Sequence, residues 1–231
     1  MMPSPTPEQA RKGCQLAIGN AEQLTSCAQY LADRGHYGPA VSLTVLSAEE
    51  AMKGVLLAGV AAGFEFGDAV VGKFLTQHKP RHAVAGISEL YGFLMSKWTS
   101  IIRSLQEEFP ELQGDEYESA RKQKVQDLVS ELNAMADAPP GQSGLSELDW
   151  WHGSDSLKQR GFYVDLAPDE WRTPRSLTKA HFEEASRVTA RAIDHARWVA
   201  DNLENVPGGA RIDYLKRMRD LLGGLHPGKD S

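Results

Sequence analysis

Cysteine is scarce in this sequence, and the two present, Cys14 and Cys27, cannot bridge each other. Thirteen residues apart on one predicted helix, they stand about 20 Å from one another, far beyond disulfide reach. They read as reduced core thiols. No Cys-x-x-Cys or His-x-x-x-His spacing occurs, so no metal centre is expected. Gly208-Gly209 and Gly223-Gly224 lack the Lys-Ser/Thr of a phosphate loop, and no cofactor is called for.

Positive charge is also in short supply. Twenty-five Lys and Arg against 31 Asp and Glu give a formal charge of −6, which argues against a broad cationic face for duplex nucleic acid and leaves room for a local basic groove. The opening MMPSPTPEQARKG has no apolar core of the kind a secretory signal needs, and the one long apolar run is broken at its centre by charge. The expectation is a cytoplasmic protein with no membrane partner. There is no internal repeat and no low-complexity tract.

What is present is helical periodicity in a chain of globular composition, 41% hydrophobic. Ala10, Cys14, Ala17, Ala21, Leu24, Ala28 and Leu31 line one face of a first helix with mostly small residues, so a neighbour can approach closely. Asp33-Arg-Gly-His-Tyr-Gly-Pro39 ends it and starts a second, at about residues 39–62, forming an antiparallel hairpin. Residues 63–72 read as a loop or broken helix. Val84, Ile87, Tyr91, Leu94, Trp98, Ile101 and Leu105 give the strongest helix signal, and a more charged, peripheral helix follows at about 115–136. Residues 138–144 are a linker, Trp150 and Trp151 mark a short packed segment, and Phe162–Leu166 looks extended. A long helix after Pro174 carries Phe182, Ala185, Thr189, Ala192, Ala196, Val199 and Leu203 on one seam. The fold class is all-α, with one helical domain over 1–207 and a short basic helix and tail over 208–231.

The second helix carries the most informative anomaly. In PAVSLTVLSAEEAMKGVLLAGVAAG, Glu49, Glu50 and Lys53 are the only charges, and helical spacing sets the carboxylates within apolar stripes. Either this helix is half exposed, or the charges form a polar cluster in a cleft between helices, where each must be paired. Lys53 can meet either acid, so one carboxylate is left over. A second cation must come from elsewhere, and His78, Lys79, Arg81 and Arg160 are the best donors.

The order HYGPAVSLTVLSAEEAMKG, FLTQHKPRH and LKQRGFYVDL before a final long helix resembles the AbiV-type abortive-infection family of the HEPN superfamily, over roughly residues 10–205. The resemblance implies a HEPN-like antiparallel bundle, often dimeric, in a phage-defence protein that shuts down growth of the infected cell. Many HEPN proteins are metal-independent ribonucleases. Carried across, the family signature falls on Glu49, Glu50 and Lys53, on His78 and Lys79, and on Tyr163, Val164 and Asp165. The superfamily's usual nuclease spacing, Arg then His four to six residues on, is matched by Arg175 and His181, although that spacing is not associated with this branch.

Metal-free RNA cleavage needs a proton acceptor, a proton donor and a cation for the phosphorane. In one arrangement Glu49, Glu50, Lys53, His78 and Arg160 form the catalytic group, with Lys79, Arg81, Tyr163 and Asp165 on the substrate. In the other, Arg175 and His181 do the chemistry and the Glu-Glu-Lys cluster is structural. The expected partners are RNA or the translation machinery, a phage protein as trigger, and a second copy of the chain. A non-catalytic helical interaction protein that blocks translation is the alternative. His195, beside Asp194 and Arg191, reads as a satisfied partner of a nearby acid.

Overall fold

The computed structural model describes residues 4–77, 81, 115–136, 146–166 and 171–202. Backbone contacts divide the chain into two units, Met1–Ala85 with Trp150–Ser231, and Gly86–Asp149. The first contains helices α1 (Pro7–Ala32), α2 (Tyr37–Ala61) and α3 (Asp68–Thr76), most of α5 (Ser146–Phe162), a two-strand ribbon, a short 3-10 helix (Pro174–Ser176) and α6 (Lys179–Asn202). The second contains α4 (Asp115–Ala136), the charged helix expected there. The fold is all-α, a helical bundle with one small ribbon, and no described helix is long and apolar enough to cross a membrane. The strong 84–105 pattern and the 138–144 linker lie outside the described residues.

Local chemistry sets the ends of the first hairpin. Thr6 Oγ1 accepts from the Gln9 N–H, Gln9 Oε1 accepts from the Thr6 N–H, and Pro7 occupies the first turn, so two orphan donors of α1 are satisfied reciprocally. Gly35 adopts φ +78°, a conformation side chains resist, and lets the chain reverse into α2. The seam of small residues then brings the helices together. A Cβ on Gly54 would lie 3.0 Å from Ile18, and one on Gly13 would lie 3.2 Å from Leu57.

Helix α2 is the axis of the bundle, with α1 and α6 both packed on it. It is buried on nearly every side, and three of its polar residues join it to three other helices. Ser47 Oγ donates to the Ala21 carbonyl of α1 (2.6 Å), Ser42 Oγ to the Lys158 carbonyl of α5 (2.7 Å), and the Thr44 carbonyl accepts from Thr189 Oγ1 of α6 (3.1 Å). The seam of α6 is as expected, with Phe182, Ala185, Thr189, Ala192, Ala196 and Val199 buried.

Near its N-terminus α2 meets α5 and the 3-10 helix almost backbone to backbone. A Cβ on Gly161 would fall 2.0 Å from Ser42 Oγ and 2.3 Å from the Gly38 carbonyl oxygen, and one on Gly38 would fall 2.4 Å from the Pro174 carbonyl oxygen. Gly161→Ala must therefore push α5 off α2, and a loss of about 1–3 kcal/mol is expected in urea unfolding. Gly19→Ala, where nothing lies within 4 Å, should instead gain roughly 0.5–1 kcal/mol from helix propensity.

Three sequence readings change. Residues 68–76 form a helix; Gly72 inside it obscured the pattern, but Val71 and Phe74 are buried on one side. The Trp150–Trp151 segment belongs to a 17-residue helix that runs to Phe162, so the extended stretch starts at Tyr163. Strand β1 (Asp165–Leu166) pairs antiparallel with β2 (Trp171–Arg172), Asp165 opposite Arg172 and Leu166 opposite Trp171. Of the two thiols only Cys14 is in the core; Cys27 is exposed. Burial, with Asp201 adding to it, pushes the Cys14 thiol up to about 11. Iodoacetamide at pH 8 should alkylate Cys27 in the folded chain and leave Cys14 untouched, with mass spectrometry reading the sites.

Candidate functional site

Glu49 and Glu50 separate at the surface of α2. Glu49 is completely enclosed, with 0% of its side chain exposed, whereas Glu50 and Lys53 keep 17% and 20%. The half-exposed-helix reading therefore fails for Glu49, and the charges form an interhelical cluster. Lys53 pairs with Glu50, one turn back, not with Glu49.

Two cations from other elements meet Glu49. Lys158 Nζ of α5 lies 2.8 Å from Glu49 Oε1 and 2.9 Å from Asp155 Oδ1. Arg81 Nη1 is 3.6 Å from Glu49 Oε2 and 3.6 Å from Glu50 Oε1, so one guanidinium bridges both acids. Its other nitrogens donate to the Phe74 carbonyl (3.1 Å) and the Leu75 carbonyl (2.9 Å), two of the carbonyls that α3 leaves unpaired at its C-terminus. Asn20 of α1 reaches Glu50 Oε2 at 3.3 Å. Among the described residues three carboxylates thus face three cations, and the cluster ties α2 to α1, α5 and the end of α3.

Of the cations proposed from sequence, Arg81 is in the cluster and Arg160 is not. Arg160 Nη2 approaches Ser176 Oγ of the 3-10 helix at 3.5 Å. His78 and Lys79 lie outside the described residues. Lys158 was missed, and it lies closer to Glu49 than Arg81 does. The signal was there: Trp151, Ser154, Lys158 and Gly161 follow a three-four-three spacing, and all four are buried on one stripe of α5. Two of the four are polar and one is glycine, so apolar periodicity does not register the stripe.

Tyr163 and Asp165 do not close over the cluster. Both are exposed, Tyr163 at 61%, and Asp165 Oδ1 accepts from its neighbour's N–H at Leu166 (2.8 Å). Trp150 and Trp151 are buried and pack edge to face, 5.1 Å between ring centroids, as a packing role requires. His195 is held below its usual pKa by burial, and Asp194 pairs with Arg197 (3.4 Å).

Arg175 and His181 occupy a different place, the 3-10 helix and the first turn of α6. Arg175 is exposed and His181 half-buried. Nδ1 of His181 lies 3.2 Å from the Thr178 N–H nitrogen and 2.8 Å from Thr178 Oγ1, an N-terminal capping contact that leaves Nε2 as the nitrogen for a ligand. No hydrogen bond or ion pair joins Arg175 to His181 among the described residues. Among the same residues, no three His, Cys, Asp or Glu side chains are grouped so as to hold a metal ion.

A helical bundle centred on an apolar helix, whose Glu-Glu-x-x-Lys charges are neutralised from neighbouring helices, defines the class of protein. The HEPN_AbiV family model, described as AbiV, matches residues 9–193, and the chain belongs to that family. No curated protein and no solved structure matches it.

Proposed function

We propose that the chain is an abortive-infection effector that cuts RNA without a metal, with Arg175 and His181 as its chemical pair and the Glu49 cluster as its framework. The observation that carries this choice is accessibility. Glu49 is enclosed and its charge neutralised by Lys158 and Arg81, so it has no route to a phosphodiester, whereas Arg175 is exposed and His181 half-exposed, on either side of the entry into α6. In this reading the RNA 2′-hydroxyl gives its proton to His181 Nε2 as its oxygen attacks phosphorus, the P–O5′ bond breaks, and the 5′-oxygen leaves with that proton, giving a 2′,3′-cyclic phosphate and a 5′-hydroxyl, while Arg175 holds the phosphorane charge. The same proposal includes a homodimer, a cytoplasmic location and a phage protein as trigger.

A second reading is favoured by one feature of the ribbon. Val164, Leu166 and Trp171 are 60%, 62% and 67% exposed, an apolar face suited to a protein partner through which a non-catalytic module would block translation. Incubation of the purified full chain with total RNA separates the two. Cleavage by wild type and its loss in His181→Ala supports the nuclease; intact RNA with wild type supports the binding module.

A further inference from the structure

Arg160 differs from the cations of the Glu49 cluster. Lys53, Arg81 and Lys158 each face a carboxylate. Arg160 faces none among the described residues. Among the described residues its Nε is enclosed with no acceptor, and its guanidinium meets the Ser176 hydroxyl at 3.5 Å. A guanidinium partly removed from water and left without a counter-charge is under-compensated, and a partner anion recovers that cost. Gly161, the next residue, is pressed against Ser42 and Gly38, which anchors the backbone at the base of the Arg160 side chain, and the Ser176 that its head approaches follows Arg175 in the 3-10 helix.

One turn further along lies an aromatic surface. The Tyr163 N–H still bonds the Gln159 carbonyl (3.0 Å), so Arg160 and Tyr163 are neighbours three residues apart at the end of α5. The Tyr163 ring is 61% exposed and braced edge-on by Phe162, 6.3 Å between centroids. A guanidinium without a described counter-charge and an exposed ring at the same helix end are the pairing that binds single-stranded nucleic acid, phosphate on the cation and base on the ring.

We propose that Arg160 and Tyr163 form a subsite for single-stranded RNA, Arg160 holding a backbone phosphate and Tyr163 stacking the adjacent base. It rests on the ribonuclease reading and supplies its substrate class: a stacked duplex offers no base face to Tyr163, so paired RNA is excluded.

The test measures binding without cleavage. A short, fluorescein-labelled 2′-O-methyl oligonucleotide, which cannot undergo attack by its own 2′-hydroxyl, is titrated with the full chain and followed by anisotropy. Tyr163→Ala and Arg160→Gln should each weaken binding about tenfold, while Tyr163→Phe retains it. The oligonucleotide annealed to its complement should bind at least about tenfold more weakly. Unchanged binding by Tyr163→Ala, which is exposed and should fold, overturns the proposal, as does equal affinity for the duplex or no binding by wild type. A shift of Tyr163→Ala from dimer to monomer in sedimentation, with RNA affinity unchanged, also overturns it and gives the surface to a second copy. Binding with the expected losses by a wild type that leaves unmodified RNA intact upholds the subsite and removes the nuclease reading alone.

Discussion

Lys158→Ala should be the most destabilising single substitution in the cluster, at about 3–5 kcal/mol, because it strands an enclosed carboxylate. Glu49 has no exposed surface, and the other described cation beside it, Arg81 at 3.6 Å, is shared with Glu50 and held to the end of α3. The damage should depend on pH in a defined sense. Burial without its partner raises the folded-state pKa of Glu49 above the unfolded value near 4.3, so the folded variant binds more protons and stability falls as pH rises from there. Urea unfolding should therefore show a larger deficit at pH 8 than at pH 5. Lys158→Met combined with Glu49→Leu should recover much of the loss, since a buried pair replaced by apolar groups is often close to neutral. Glu50→Ala, at the partly exposed end, should cost only about 1 kcal/mol. Equal midpoints for Lys158→Ala and wild type would show that Glu49 is not enclosed in solution.

The contrast between Glu49 and Glu50 also shows how far the sequence can be read. That the EE-x-x-K charges needed an outside cation followed from counting charge on an apolar helix, and the positions of α1, α2 and α6 followed from small or apolar residues at helical spacing. Arg81 was among the donors named because cationic residues near that stretch are few. The identity of the closest donor was hidden for a physical reason: α5 buries Ser154, Lys158 and Gly161 beside Trp151, and a helix whose buried face is polar or bare has no hydrophobic period to detect. Such a face is recognisable only with its partners, here Ser42, Gly38 and Glu49 on α2. Arg160 was assigned to the wrong end for the same reason. Without the extent of α5 its direction could not be known, and as one of the helix's last residues it points to Ser176 instead of Glu49.

His181→Ala should lower RNA cleavage by about 10²–10⁴-fold while leaving unfolding nearly unchanged, because proton transfer by a positioned side chain contributes on that scale. The capping contact complicates the variant and also supplies the control. His181 Nδ1 receives the Thr178 N–H at the start of α6, and losing a cap costs about 1 kcal/mol, too little to unfold a bundle of this size. His181→Asn can keep a capping acceptor but carries no proton at neutral pH, so it should restore the midpoint and not the cleavage. Arg175→Ala removes charge from an exposed side chain with no packing to lose; its cleavage should fall with stability unaltered, and Arg175→Lys should recover only part of the rate, since an ammonium lacks the planar fork that grips two phosphoryl oxygens. Glu50→Ala provides the opposing case. If the Glu-Glu-Lys cluster is framework, a folded Glu50→Ala should cut RNA at the wild-type rate; cleavage abolished in Glu50→Ala and preserved in His181→Ala would move the chemistry back to the second helix.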